Sequence, residues 1–416
     1  MNPPAPPAPG QLGDGRVAVA VDRPGSPEAL QEAIARRVAE GHALYPQGGR
    51  TALDYGGTPR LPGVAIDTTA LDQIIDYPAA DMTITVQAGV TLSTLRAVLA
   101  EHHQRLPLDA PDPDRATLGG IFACNASGPR RFGAGRPRDM ILGVTFATSD
   151  GNLVKGGGRV VKNVAGYDLP KLLTGSLGTL GIIAQMTLKV RPAPQAAAIV
   201  LLPFDSVSEL GEALTRLNTS GTRPMALEIL NKPAVTRLSP ELSEHPWLMA
   251  VGFEDNADSV AWQVGRLREE IRPSHPPTVL EGADAEPLWA SLAEFQALAE
   301  GPLSIVVGLP ISQVVPVVSG LDPSNWMVQV HAGNGIIRAH ATDAMSHEVL
   351  LAEVPRLRAL AASLGGHLIL PRCPTDWKER LRVWGEPRAD WAIADKVKRA
   401  LDPKGVMNPG RFVVTI

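Results

Sequence analysis

Cysteine is nearly absent. The 416 residues hold two, Cys124 and Cys373, with no C-x-x-C. The chain alone therefore has no thiolate set for an iron–sulfur cluster or a cysteine-rich zinc site. Aromatic residues make up 4%, so the core must rest on Val, Leu, Ile and Ala. Charge of one sign is lacking as well: 39 Lys and Arg face 43 Asp and Glu, a net of -4, and nothing points to a nucleic-acid partner. No apolar run reaches the ~18 residues of a membrane span. The opening MNPPAPPAPG has no basic segment followed by an apolar one, so residues 1–16 read as a disordered Pro-rich tail rather than a signal peptide. Both common phosphate-loop patterns are missing too: there is no G-x-x-x-x-G-K-[ST], and no G-x-G-x-x-G opening a helix.

What the chain has is glycine, 40 residues of it, gathered in three clusters. The first is YPQGGRTALDYGG, Tyr45 to Gly57, between a helical stretch (Pro27 to Glu40, capped by Ser26) and an apolar run ending at Asp67. Glycines let a backbone turn with its N–H groups inward, as a pyrophosphate requires, though a solvent loop with tight turns reads the same way. The second, Ala116 to Gly143, is rich in small residues that admit a long ligand, with Arg130, Arg131, Arg136 and Arg138 interleaved. Those arginines could meet a diphosphate or another chain's carboxylates, or simply face water. The third is GRVVKNVAGYDLPKLLTGSLGTLGII, Gly158 to Ile183.

Periodicity places strands at 64–67, 83–87, 142–147, 153–155 and 182–190, and a one-sided helix at 91–102. Beyond Pro194 strand and helix patterns alternate, suggesting an α+β unit on an antiparallel sheet. Within it a hairpin, Trp326 to His340, turns at Gly333-Asn334-Gly335, and a helix at Ala389 to Leu401 precedes the closing DPKGVMNPGRF.

Together and in this order, the three clusters resemble the FAD-binding domain of the vanillyl-alcohol-oxidase and p-cresol-methylhydroxylase type. YPQGGRT is similar to that family's pyrophosphate loop, TLGGIFACNASGP to the segment along the isoalloxazine and diphosphate, SLGTLGII to the adenine-side stretch, and DPKGVMNPGRF to the C-terminal return. KNVAGYDLPKLLTGSLGTLGII resembles, more narrowly, the glycolate oxidase and D-lactate dehydrogenase branch, and in particular the smaller FAD-binding subunits of bacterial glycolate oxidases.

The fold so implied is α+β: an FAD-binding domain at 17–194, an α+β cap at 195–385, and a helix with a return segment at 386–416. The implied cofactor is FAD, held by Pro46, Gln47, Gly48, Gly49, Arg50, Thr51, Asp112, Thr117, Gly119, Gly120, Asn125, Ser127, Gly128, Gly178, Gly181, Ile183 and Asn408. Many relatives carry a loop histidine that bonds covalently to flavin. Here Gln47-Gly48-Gly49-Arg50 has none, so the FAD is expected to be non-covalent. The implied partners are a larger FAD-containing glycolate oxidase subunit and an iron–sulfur subunit. The implied location is cytoplasmic or, through those partners, peripheral at the inner membrane.

Catalytic relatives carry H-x-G-D-G-N-x-H and a later Glu-His pair, which hold a divalent metal and act on the hydroxy acid. Here the segment is HAGNGIIRAH: Asn334, Ile336 and Arg338 replace the aspartate, the asparagine and the second histidine, and GGHLILPR stands where the later pair belongs. A metal needs several converging donors, so none is expected there. His331, Arg338 and Arg372 are weak catalytic candidates: base and carboxylate grip, or a strand histidine and ordinary ion-pairing arginines. Three functions follow. One is an FAD subunit relaying electrons or completing assembly in a complex that oxidises glycolate to glyoxylate. A second is a self-sufficient 2-hydroxy-acid dehydrogenase. The third is a flavin-free scaffold, against which the intact glycine clusters argue.

Overall fold

Ser26 opens the first helix, Pro27–Ala39, by accepting the Ala29 N–H, and the helix buries Leu30, Ala33 and Ile34. In the computed structural model, residues 7–159, 166–298 and 301–413 are described, and the chain divides into two compact units. One comprises Met1–Ala126, Arg136–Ala193 and Glu386–Ile416; the other Ser127–Gly135 and Pro194–Gly385. Residues 160–165 of the third glycine cluster lie outside the described residues.

The first unit holds two main sheets. Three parallel strands run in the order Ala20–Asp22, Gly63–Asp67, Ala43–Gln47. Helix Pro27–Ala39 provides the crossover that parallel pairing demands. A five-stranded antiparallel sheet has the order Leu153–Gly157, Ile141–Ala147, Ile182–Lys189, Thr83–Gln87, Ile74–Asp76. Leu30, Ile34, Leu44, Val64, Ile66, Ala147 and Ala184 form one core that joins the helix to both sheets.

The tail differs from its sequence reading. Gln11–Gly13 and Arg16–Val17 pair as a short antiparallel ribbon, so order begins within the stretch read as disordered. The cause is burial of Asp14, whose carboxylate accepts from Arg411 Nη1 at 2.9 Å. The same guanidinium donates to the carbonyls of Gly57 (2.8 Å) and Leu12. Burial holds the Arg411 pKa below its ordinary value, with Asp14 opposing.

The second unit is an eight-stranded, wholly antiparallel sheet. Its order is Thr278–Glu281, Ala196–Phe204, Trp247–Asp255, Ala226–Asn231, Trp326–His331, Ile336–Ala341, Ser304–Gly308, His367–Arg372. Both faces are covered. In the strand Ala196–Phe204, residues 198, 200, 202 and 204 enter one core, with helices Val207–Leu217, Ala257–Glu270 and His347–Ser363. Residues 199 and 201 enter the other, with Lys232–Leu238 and Glu286–Glu294. Two buried faces account for a strand that reads as a continuous apolar run instead of an alternating one.

The first unit also fixes its last helix, Trp391–Leu401, by a buried charge. Lys398 Nζ bonds Asp402 and the carbonyls of Thr179 (2.8 Å) and Met407 (2.9 Å). Removing one partner of a buried pair strands the other charge, at about 3–5 kcal/mol. Arg411→Met should therefore lower the urea-unfolding free energy by that order, and Asp14→Asn added to it should cost little more. Additive losses from the two changes would show that the pair is not coupled.

Candidate functional site

The Ala43–Gln47 strand delivers Pro46 and Gln47 to the start of the first glycine cluster. Thr68 Oγ1 donates to the Gln47 carbonyl at 3.0 Å, and Gln47 Nε2 donates to the Gln11 carbonyl at 2.5 Å. Arg50 turns the chain in the left-handed region (φ 57°) and reaches Asp67 at 3.3 Å and the Pro7 carbonyl at 3.0 Å. The second cluster lies directly against this loop. A Cβ on Gly48 would sit 2.0 Å from Thr117 Oγ1, and one on Gly49 would sit 1.7 Å from the Arg115 carbonyl oxygen. Only glycine lets the two segments meet so closely.

Thr117 caps the helix Leu118–Cys124, which ends on Asn125 in the left-handed region (φ 53°). Gly119 rests on Ala88, whose carbonyl accepts the Gly119 N–H at 2.8 Å. The third cluster joins at the far end of that helix, where Gly175 and Leu177 donate to the carbonyls of Phe122 and Ala123, each at 2.9 Å. Gly178 (φ 68°) packs on Pro46, and Gly181 on Phe146. Asn408 (φ 44°) closes the group, donating from Nδ2 to the Leu177 carbonyl at 2.6 Å. Asp112 (φ 52°) pairs with Arg115 at 2.9 Å beneath the second cluster. Left-handed conformations at Arg50, Asp112, Asn125, Leu177 and Asn408 concentrate backbone strain where the clusters meet, as at ligand clamps.

Among the described residues, three buried polar atoms of these clusters have no hydrogen-bond partner: Gln47 Oε1, Asn125 Oδ1 and Ser176 Oγ, one from each cluster. Unsatisfied buried polar atoms are costly and rare in native cores. Three of them beside glycine loops fit a polar cofactor with donors and acceptors along its length, as FAD has.

Three of the expected cofactor residues have other surroundings. Ser127 and Gly128 belong to the second unit, because Arg130 pairs with Glu254 at 2.8 Å and stacks over Trp289 at 4.2 Å. The segment 127–135 is thus tied to the second sheet, and Arg130 meets a carboxylate of its own chain. Ile183 sits in register with Phe146 inside the antiparallel sheet, as core. Thr51 is exposed and Gly120 half-buried.

In the second unit, His331 is buried at the end of its strand. Its Nδ1 lies 2.8 Å from Glu228 Oε1, directly across in register, and its Nε2 accepts from Arg338 Nε at 3.2 Å. The proton is therefore on Nδ1, facing the carboxylate. Gln329 Nε2 donates to Glu228 Oε2 at 2.9 Å, and Arg338 Nη2 to the Ser127 carbonyl at 3.4 Å. The sequence reading named His331 and Arg338 but missed Glu228, whose place inside an apolar strand, ALEILN, was its only signal. Arg372 ends the outer strand, three strands over from His331. His340 is a core histidine: Ser304 Oγ bonds Nδ1 and the Phe295 carbonyl accepts from Nε2, each at 2.8 Å. Burial pushes its pKa down to about 4.

Similarity to known proteins makes this an FAD-dependent oxidoreductase. A model of the FAD binding domain matches residues 18–157, and one of the FAD-linked oxidase C-terminal domain matches 193–299 and 384–412. Both models are of FAD-linked enzymes, one matching in each part of the chain. It is 26% identical to a D-2-hydroxyglutarate dehydrogenase of Xanthomonas citri pv. viticola, over 95% of this chain and 89% of that protein. It is 36% identical to the glycolate oxidase subunit GlcE of Escherichia coli over 41% of this chain; that match spans 48% of the subunit. A solved alkyldihydroxyacetonephosphate synthase shares the fold, at a TM-score of 0.66 and 18% identity, covering 94% of this chain and 76% of that one.

Two outcomes test the site. Acid precipitation should release all flavin, and Gly48→Ala should lower FAD content by about tenfold or more, read by flavin absorbance, since an added methyl must displace Thr117. His340 gives a pH dependence. Unfolded, it titrates near 6.5; folded, near 4. Between these values the unfolded chain binds more protons, so stability present above pH 6.5 is lost as pH falls towards 4, by up to about 3 kcal/mol. Urea unfolding at pH 7 and 5 should show a loss that His340→Gln reduces.

Proposed function

We propose that this chain oxidises no substrate by itself and serves as the FAD-binding subunit of a complex that converts a small 2-hydroxy acid, glycolate, to its 2-oxo acid. Its partners are then a larger FAD-containing subunit and an iron–sulfur subunit, which carries electrons onward from a cytoplasmic or peripherally membrane-bound assembly. Bound FAD supplies a hydride and electron acceptor. The chain's own residues keep that cofactor in place between the three glycine clusters.

The observation that carries this reading is the state of His331. A hydroxy-acid dehydrogenase needs a base for the hydroxyl proton and a cation for the carboxylate. Both nitrogens of His331 are engaged inside the second unit, Nδ1 with Glu228 and Nε2 with Arg338. A general base must offer a free lone pair within reach of the substrate proton, and this one is covered by a guanidinium. The partial likeness to a glycolate oxidase subunit supports the same direction.

One observation favours a second reading. The likeness to a D-2-hydroxyglutarate dehydrogenase runs over 95% of the chain, which suits a self-sufficient dehydrogenase. Arg338 would then swing from His331 to grip a substrate carboxylate, freeing Nε2.

The FAD-loaded chain, purified alone, should turn over glycolate, D-lactate or D-2-hydroxyglutarate negligibly with an artificial electron acceptor. Affinity capture of the tagged full-length chain from its native host should bring down a larger flavoprotein and a cysteine-rich cluster protein. Rapid turnover by the isolated chain, lost in His331→Ala with FAD retained, would establish the second reading instead.

A further inference from the structure

Away from the residues discussed so far, three side chains meet at one end of the second sheet. Asp205 directly follows the strand Ala196–Phe204. His245 precedes the strand Trp247–Asp255 by two residues, and His275 precedes Thr278–Glu281 by three. The register brings them together. Phe204 pairs with Trp247, and Leu201 with Thr278, so the outgoing end of the central strand lies between the incoming ends of its two antiparallel neighbours. Residues separated by 40 and 70 positions thus share one rim.

One donor atom from each residue lies within 4.8 Å of the other two, the only such group of three His, Cys, Asp or Glu among the described residues. His275 Nε2 is 2.9 Å from Asp205 Oδ1, and the rings of His245 and His275 are stacked with centroids 4.0 Å apart and planes at 29°. Donors around a four-coordinate zinc ion, with bonds of about 2.0–2.2 Å, stand roughly 3.3 Å apart. Small side-chain rotations therefore suffice to bring three donors onto one ion. Asp205 is also positioned by its neighbours: its N–H donates to Ser274 Oγ at 3.3 Å, and Ser274 donates in turn to Glu209 Oε2 at 3.0 Å. These bonds hold the backbone that carries Asp205 and tie it to the segment that carries His275.

We propose that Asp205, His245 and His275 bind a divalent transition-metal ion, with solvent completing the coordination. Two imidazoles and one carboxylate select zinc, cobalt or nickel over magnesium or calcium, which prefer all-oxygen sites. The ion would cross-link the ends of three adjacent strands, as a staple in the second unit independent of the flavin. This site is distinct from His331 and from the HAGNGIIRAH segment, and the proposal stands whichever functional reading holds.

The test uses the untagged, FAD-loaded full-length chain after chelator treatment. Calorimetric titration with Zn²⁺ should give one site per chain, Co²⁺ should yield a visible d–d band of a nitrogen–oxygen site, and Mg²⁺ should not compete. His275→Ala and His245→Ala should each weaken Zn²⁺ binding by roughly tenfold or more. The flavin spectrum and circular dichroism should not change, because these side chains are on the surface. Wild-type protein that takes up no Zn²⁺ would overturn the proposal. So would a His245→Ala/His275→Ala double variant that binds it as tightly as wild type.

Discussion

The first unit depends on a strand-like contact that closes the chain on itself. Leu44, in the strand that delivers the glycine loop, donates to the Val406 carbonyl and accepts from the Asn408 N–H, each at 2.8 Å. These bonds make residues 406–408 a short parallel neighbour of that strand, bridged at Met407. A backbone pairing this brief cannot hold by itself, because ordering each residue costs about 1–2 kcal/mol of conformational entropy. Two buried ion pairs flank it. Lys398 and Asp402 fix the approach, with Asp402 also accepting the Met407 N–H at 2.8 Å. Arg411 and Asp14 fix the exit. The chain is thus clamped on both sides of the pairing, and Asn408 is left aimed at Leu177. Each charge is desolvated, so the arrangement is all-or-none: complete it is rigid, and broken it strands a buried charge. The first glycine loop, which leaves this strand at Gln47, starts from a backbone held in this way.

The second unit solves a different problem. Its sheet is covered on both faces, yet one face carries Glu228, Gln329, His331 and His340, all buried. Buried polar groups are tolerable only when satisfied. Here antiparallel register supplies most of the partners, since Glu228 faces His331 and Gln329 faces Arg338, while among the described residues Gln329 Oε1 has none. A negative carboxylate and a positive guanidinium share one histidine between them. Residues Ser127–Gly135 complete the group, with Ser127 accepting from Arg338 and Arg130 held by Glu254 and Trp289. That is why a segment read as part of the flavin-binding domain associates with the other sheet.

Much of this was legible in the residues. The helices at Pro27–Ala39, Val207–Leu217 and Trp391–Leu401 carry capping or periodic signals, and the hairpin at Gly333–Gly335 carries a turn signal. The glycine clusters were legible as a group because close backbone approach leaves a mark in composition: Gly48 and Gly49 have no room for a methyl. What was hidden was every long-range partnership. Nothing local to Asp14 announces Arg411, nearly the whole chain away, so the ribbon around Asp14 reads as tail from sequence alone. Glu228 was hidden because burial, not sequence neighbourhood, gives a lone carboxylate its meaning. Asp205, His245 and His275 were hidden for the same reason: only strand order makes them neighbours.

The exchange at position 338 ties the sequence to the electrostatics. In the pattern H-x-G-D-G-N-x-H a second histidine would stand there, and a metal bound to both histidines would bring positive charge beside Glu228. Arginine brings that charge on the side chain itself. Its Nε–H occupies the His331 lone pair a metal would use, at 3.2 Å, while Glu228 keeps its hydrogen bond to the other nitrogen. A cationic side chain thus stands one residue away from the buried carboxylate, with His331 between them. An arginine here therefore places its own cation where the pattern H-x-G-D-G-N-x-H has a metal-binding histidine, and it covers the lone pair of His331 from within the same sheet.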